Sequence, residues 1–303
     1  MKSEYPRISI IIPSYNQGSY LEEAIQSVLG QEYPNLELIV IDGGSQDGSQ
    51  EIIRKYEGEL AYFVSEPDRG QSHAVNKGLK KASGDIITFL GSDDKYLPGA
   101  FQDLAIRWGK AEGCGAVIGA FQFMNAQSRL DERVIPPYLH QPAPLDLTLG
   151  PPGAYRLHQV ATFYTKSALD TVGRHVREDL QFVMDRELLY RVCRNFPILT
   201  VDMPYGAFRK HKNSKSASQV LPFADEFARI YLESRTGDRE NDRKREWMAR
   251  YRVAKGYLAY ANAGDKMVKS AFALIQVIFA YPTFIKEYSY IKAWKHCLLG
   301  KGD

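Results

Sequence analysis

Two adjacent carboxylates, Asp93 and Asp94, follow the apolar run "DIITFL" (Asp85 to Leu90). Neighbouring negative charges repel and need solvent or a cation, so the chemistry they suit is holding a hard positive ion. Three other apolar runs also end in polar or glycine-rich residues. "PSYN" follows Ile8–Ile12 and carries Pro13, Tyr15 and Asn16; "DGGS" follows Leu36–Ile41 and carries Asp42, Gly43 and Gly44; "EPDRG" carries Asp68 and Arg69. Two later stretches complete the set: "MDRELLYRV" with Asp185 and Glu187, and the basic cluster "FRKHKNSKS" with Arg209, Lys210, His211, Lys212 and Lys215.

Elements at regular spacing must position these groups. "ISIII" is a β-branched run that reads as a buried strand, stopped by Pro13. "SYLEEAIQSVLGQ" reads as a helix, with Ser19 and Glu22 at capping-box spacing. "LELIVI", the helix "QEIIRKY", the strand "LAYFVS", the helix "QSHAVNKGLKKA" and the strand "DIITFL" continue the alternation. Asp47 suits a helix cap. This order predicts an α/β fold: a doubly wound, mainly parallel sheet with helices on both faces. Ligands of such sheets bind at the carboxyl ends of the strands, so all four polar strand ends are expected on one edge.

Beyond a helix ending near Lys110, "GAVIGAFQFM" predicts a long strand, and 125–153, rich in proline and polar residues, reads as loop. "ATFYTKSALDTVG" predicts a strand turning into a short helix stopped by Gly173, "VMDRELLYRVCRNF" a helix, and "ILTVDMPYGAFRKH" a strand. The expected division is 1–218, with halves 1–110 and 111–218, followed by a helical extension, 219–303. In it "EFARIYLESR" and "REWMARYRVAKGYLAYANAGD" are amphipathic helices separated by the charged stretch "TGDRENDRK".

The bulk numbers exclude several classes. A chain of 303 residues that is 44% hydrophobic and 25% charged can build a core. Its net charge of +3 gives no signature of nucleic-acid binding. Cys114, Cys193 and Cys297 lie far apart, so neither a disulfide framework nor a zinc site is indicated, and a reducing cytoplasmic setting is the default. The N-terminus lacks the apolar core of a signal peptide, and no uninterrupted run reaches membrane-span length.

Taken in order, "SIIIPSYNQGSYLEEAIQSVLGQ", "LELIVIDGGSQDGS", "SEPDRGQSHAVNKGL", "ASGDIITFLGSDD", "HQVATFYTKSALDTVG", "MDRELLYRV" and "FRKHKNSKS" resemble the family-2 inverting glycosyltransferases of GT-A fold, over roughly the first two-thirds of the chain. The resemblance implies transfer of a sugar from a nucleotide-sugar, by family preference a UDP-sugar, to an acceptor hydroxyl in polysaccharide or glycolipid synthesis. It also implies a divalent manganese or magnesium ion. Ser92-Asp93-Asp94 occupies the family's DxD position with serine in place of the first aspartate. Asp94 is then the metal ligand and Asp93 faces ribose or metal. By the same resemblance Asp42 meets the nucleobase, and Pro13, Tyr15, Asn16, Gly43, Asp68 and Lys77 line the donor site. Asp185 is the base that takes the acceptor proton; its alternative is to charge the helix N-terminus. His211 ligates the metal or meets the diphosphate, His158 and Gln159 lie on the acceptor side, and Arg209, Lys210 and Lys215 meet phosphates.

The tail 267–299 is apolar, aromatic and punctuated by lysines, with Pro282 expected to break it into two helices. Phe284, Tyr288, Ile291, Trp294 and Leu298 share a face with Lys292 and Lys295 beside it, a pattern that suits a membrane interface or a packed helical pair, within the chain or between subunits. Two rival readings stand beside the enzyme. One is an inactive nucleotide-sugar-binding module, left open by the serine. The other is a nucleotidyltransferase, disfavoured because "PSYNQGSY" lacks a basic glycine-rich signature.

Overall fold

The computed structural model describes residues 5–139, 155–211, 214, 220–235, 237–263 and 274–278. The chain divides into two compact units, Met1–His211 and Lys212–Asp303.

The first unit alternates β1 (Ile8–Ser14), α1 (Gly18–Leu29), β2 (Leu36–Asp42), α2 (Ser49–Lys55), β3 (Tyr62–Ser65), α3 (Gln71–Lys81) and β4 (Ile86–Phe89). Next come β5 (Lys95–Tyr96), α4 (Ala100–Trp108), β6 (Ala116–Asn125), β7 (Leu130–Ile135), β8 (Tyr138–Leu139), β9 (Tyr155–Arg156), β10 (Thr162–Thr165), α5 (Lys166–Thr171), α6 (Met184–Asn195) and β11 (Ile198–Lys210). Among the described residues the main sheet runs β3-β2-β1-β4-β10-β6-β11-β5, with β7 beside β6. The first four strands are mutually parallel. β10 lies antiparallel between β4 and β6, and β11 runs parallel to β6. The carboxyl ends of β1–β4, β6 and β11 therefore reach one edge. Every residue of β1 is buried, as a central strand covered on both faces requires.

Several local expectations give way. β1 continues through Pro13, which pairs with Ile41, to Ser14; proline is tolerated where the ladder is ending and one lost N–H matters least. The Ser19–Glu22 capping box does not form. Helix α1 starts at Gly18, whose N–H donates to Asp47 Oδ2 at 2.8 Å, so the cap comes from 29 residues away. The loop expected at 125–153 contains β7, paired antiparallel with β6 across a turn in which Asn125 Oδ1 accepts from the N–H groups of Gln127 and Arg129.

The second unit contains α7 (Val220–Glu233), α8 (Arg239–Ala263) and a short helical stretch at 274–278. Helices α7 and α8 bury Phe227, Tyr231, Met248 and Leu258, and the Arg252 guanidinium lies 4.6 Å over the Phe227 ring. Much of the charged stretch expected as a connector is helical, because Asp238 Oδ1 accepts from Asn241 N–H and starts α8 at Arg239. Among the described residues no helix is long and apolar enough to cross a membrane. Pro282 and the two-helix reading of the tail fall outside them.

Candidate active site

The acidic corner is built on Gly91, just past β4. A side-chain carbon there would stand 2.9 Å from Asp93 Oδ1 and 3.0 Å from Asp94 Oδ2, so both carboxylates fold back over the space glycine leaves. Ser92 is buried beside them. Strand β11 fixes this turn: Arg209 N–H donates to Asp94 Oδ1 at 2.8 Å, and His211 Nε2 lies 2.9 Å from Asp93 Oδ2. Asp94 is almost wholly buried. Burial, and next the Asp93 charge, push its carboxyl well above the usual carboxylate range, against the hydrogen bond from Arg209. Two carboxylates crowded in low dielectric fit a cation, which would relieve both causes at once. Among the described residues no group of three or more His, Cys, Asp or Glu gathers to hold a metal ion.

His211, expected as a ligand, lies against Asp93, with its ring 4.9 Å from Tyr20. Arg209, expected to meet phosphate, is fully buried and fully used. Its Nε donates to Asp93 O, its Nη1 to Ser128 Oγ and its Nη2 to Glu23 Oε2, while the guanidinium covers the Tyr20 ring at 4.6 Å. Burial alone would raise Glu23, but hydrogen bonds from Lys95, Ser128 and Arg209 outweigh it and hold the carboxyl at about 2. Glu23, Ser128 and Tyr20 carry no local motif that would mark them in the sequence. Lys210 places its ammonium 3.3 Å over Phe123 rather than beside the carboxylates. Lys215 lies outside the described residues.

At the other end of the edge, Asp42 is fully buried. Its carboxylate accepts from Gly44 N–H, Ser45 N–H, Ser45 Oγ and Ser65 Oγ at 2.5–3.1 Å, which spends it on the loop it was expected to precede. Asn16, in the left-handed region at φ 50°, receives Gln46 N–H on Oδ1 and gives its own N–H to Ser45 Oγ, so it too braces that loop. Pro13 is buried within β1. Lys77 pairs with Glu66 at 2.8 Å and ties down the loop leading to Asp68. Three groups remain at this rim. Asp68 Oδ2 sits 2.7 Å from the point a Gly43 side-chain carbon would occupy, the Tyr15 ring lies 3.2 Å from the same point, and Tyr15 is 61% exposed. Carboxylate and ring thus converge on the face of Gly43.

Asp185 occupies the first turn of α6. Burial raises its carboxyl above the ordinary range, against the Arg186 charge and the backbone N–H groups of Arg186 and Asp185. Its charge in turn helps raise Tyr164, for which burial is the larger cause. Tyr164 donates to Gln159 Oε1 at 3.3 Å, and Gln159 Nε2 donates to Phe89 O at 3.0 Å and Thr88 Oγ1 at 3.2 Å. Tyr164, which feels the Asp185 charge, is thus tied through Gln159 to the end of β4, four residues before Asp93. Gln159, expected on the acceptor side, has its amide committed to this link. His158 is held between Phe121 and Phe208, each ring 4.6 Å away, and accepts from Val160 N–H. Burial, with the Arg186 charge second, pushes it down to about 3, so it is neutral. Glu187 forms a double-contact pair with Arg191 and faces away from this chemistry.

The segment before Asp185 is clamped from α3. Asn76 donates to Val176 O at 2.9 Å and accepts Val176 N–H at 2.8 Å, Ser72 Oγ donates to Leu180 O at 2.7 Å, and Arg69 pairs with Glu178 at 2.7 Å. Gly70, at φ 110°, leaves room for Gln181 Oε1, 2.8 Å from its missing side-chain carbon.

The edge thus carries an acidic pair at one strand end, a raised carboxylate in the first turn of α6 and an aromatic–acidic rim at Gly43. The model of Glycosyl transferase family 2 matches residues 9–173, and the chain belongs to that family. An uncharacterised glycosyltransferase of Rickettsia typhi is 28% identical over 190 residues, 62% of this chain and 59% of that protein. The putative teichuronic acid biosynthesis glycosyltransferase TuaG of Bacillus subtilis is 42% identical over 94 residues, covering 30% of this chain and 37% of that one. The chain thus spans well under two-thirds of the length of these relatives. TarS of Staphylococcus aureus, solved with UDP-GlcNAc, superposes with a TM-score of 0.62 at 18% identity, over 96% of this chain and 90% of that one. A mannosyltransferase of Pyrobaculum calidifontis, solved with GDP-Man and Mn2+, gives 0.58 at 20%, over 98% and 88%. The fold is that of the GT-A glycosyltransferases.

Proposed function

We propose that the chain transfers a sugar, with inversion, from a UDP-sugar to a hydroxyl of a saccharide or lipid-linked saccharide at the cytoplasmic side of a membrane. One observation carries the reading: burial raises the Asp185 carboxylate in the first turn of α6, and its charge is felt by Tyr164, which is tied through Gln159 to the strand end that leads to Asp93 and Asp94. Asp185 takes the acceptor hydroxyl proton while that oxygen attacks the anomeric carbon. The bond from that carbon to the diphosphate breaks, and the diphosphate leaves with the electron pair. Tyr15 covers the base and Asp68 accepts from its imide N–H. Asp94 and Asp93 would hold a manganese or magnesium ion, whose charge would offset that of the leaving diphosphate. A lipid-linked acceptor is supported by a Campylobacter jejuni relative, 36% identical over 103 residues, named GalNAc(5)-diNAcBac-PP-undecaprenol beta-1,3-glucosyltransferase.

The test is a panel of nucleotide-sugars with manganese and polyprenyl-linked acceptors, run on the wild type and Asp185→Asn. Transfer is expected to fall about 10³-fold in the variant, with UDP affinity by calorimetry unchanged. Full activity in the variant removes Asp185 as base. A chelator should abolish wild-type transfer and added manganese restore it; transfer that ignores the chelator removes the metal.

A further inference from the structure

The first three turns of α8 have had their negative charges used up. Asp238 caps Asn241 N–H, Glu240 pairs with Lys244 at 2.7 Å, Asp242 with the buried Arg245 at 3.2 Å, and Glu246 with Arg235 at 2.5 Å. Three exposed arginines are left over, Arg239, Arg243 and Arg250, with no ion pair or hydrogen bond among the described residues. At 100° per residue they fall within about 40° of one another around the helix, and Trp247 lies about 40° beyond. Trp247 is 39% exposed and stacks on Tyr251, ring centroids 5.4 Å apart. The face thus offers an uncompensated row of guanidinium groups with an aromatic edge fixed beside it.

Charge is also divided along the chain. Residues 1–211 hold 22 Lys+Arg against 26 Asp+Glu, net −4, whereas residues 212–303 hold 17 against 10, net +7. A modest net charge of +3 conceals this division.

We propose that the Arg239–Arg243–Trp247–Arg250 face of α8 docks the protein on a membrane rich in anionic lipid. Guanidinium groups in a row complement a plane of phosphate headgroups, and tryptophan and tyrosine favour headgroup depth, where one edge is wet and the ring is not. A nucleic acid would satisfy the arginines but gives no reason for the paired rings at the margin of the row. The proposal rests on α8 alone and does not require the sugar-transfer reading.

The experiment is vesicle flotation of the full chain, without donor or acceptor. Vesicles of phosphatidylcholine and phosphatidylglycerol in equal parts are compared with phosphatidylcholine alone. The chain is expected to float with the anionic vesicles only, and less as salt rises from about 0.1 to about 1 M. The triple variant R239Q/R243Q/R250Q should lose about a hundredfold in partitioning, since each surface charge contributes about fivefold. Trp247→Ala should weaken binding without changing the salt dependence. The urea midpoint and UDP affinity of each variant check that it is folded. Equal flotation with neutral vesicles, an unchanged triple variant, or capture by duplex DNA with no flotation overturns the proposal. A chain that transfers sugar but ignores vesicles loses only this inference; one that floats without transferring loses only the other.

Discussion

Gly43 and Asp68 shape the nucleotide end of the edge between them. A methyl at Gly43 would press on Asp68 Oδ2 at 2.7 Å and on the Tyr15 ring at 3.2 Å. Its backbone is not left-handed, so the substitution strains the contact rather than the chain. Gly43→Ala is expected to cost about 1–2 kcal/mol of nucleotide binding, roughly tenfold in Kd, through displacement of those two groups. Calorimetry with UDP checks it, and unchanged affinity would place the base elsewhere. The acidic pair stood out in the sequence by residue type past a strand end, and Asp185 by its place at the start of a helix. Asp42, Asn16 and Arg209 are found bracing loops, which the sequence does not reveal for one reason: a polar residue near a ligand edge reads the same whether it faces the ligand or braces the loop. Burial decides between these, and burial depends on partners distant in sequence, such as Ser65 for Asp42 and Glu23 for Arg209.

At the scale of elements, the β-α alternation of the first third was legible because buried strands write themselves as β-branched runs bounded by glycine, proline and polar residues. Strand β7, "LDERVI", was not, since it pairs only with β6 and leaves most of its side chains exposed, so no apolar pattern marks it. The capping box failed because Asp47, on another loop, supplies the cap instead. Equally invisible was the clamp from α3 onto the segment carrying Asp185, in which Asn76 meets Val176 across 100 residues. Asn76→Ala removes both of those hydrogen bonds from a buried site and should cost about 2 kcal/mol of stability. It is also expected to lower the single-turnover transfer rate several-fold while leaving UDP affinity unchanged, because the base loses its register and the nucleotide rim does not. A loss of UDP affinity equal to the loss of rate would show that the clamp serves the donor instead.

Over the whole molecule, carboxylates are shifted in two opposed directions, and the sheet unit carries most of both. Hydrogen bonds hold Glu23 at about 2, and hold Glu37 and Asp47 below their ordinary values, in each case against burial. A depressed folded-state value contributes stability above the unfolded value, and that contribution is lost as pH falls through the folded one. For Glu23 the window is from about 4.5 down to about 2, and after allowance for its one-third exposure the contribution is about 1–2 kcal/mol. Asp185 has the opposite sign: burial raises it, so its ionised form costs stability at neutral pH, and acidification through its folded value recovers that cost. Stability should therefore rise slightly as pH falls from neutral towards the ordinary carboxylate range, then drop below it. Activity should already be falling where stability is highest, because a protonated Asp185 cannot accept the acceptor's proton. Urea midpoints and transfer rates measured across the same pH series test this. In Asp185→Asn the gain on mild acidification should shrink to the part that the raised Asp94 contributes, and in Glu23→Gln the acid limb should flatten. A wild type whose stability and activity peak at the same pH would show that the carboxylate chosen as base carries no burial cost and is held by some partner other than the low dielectric around it.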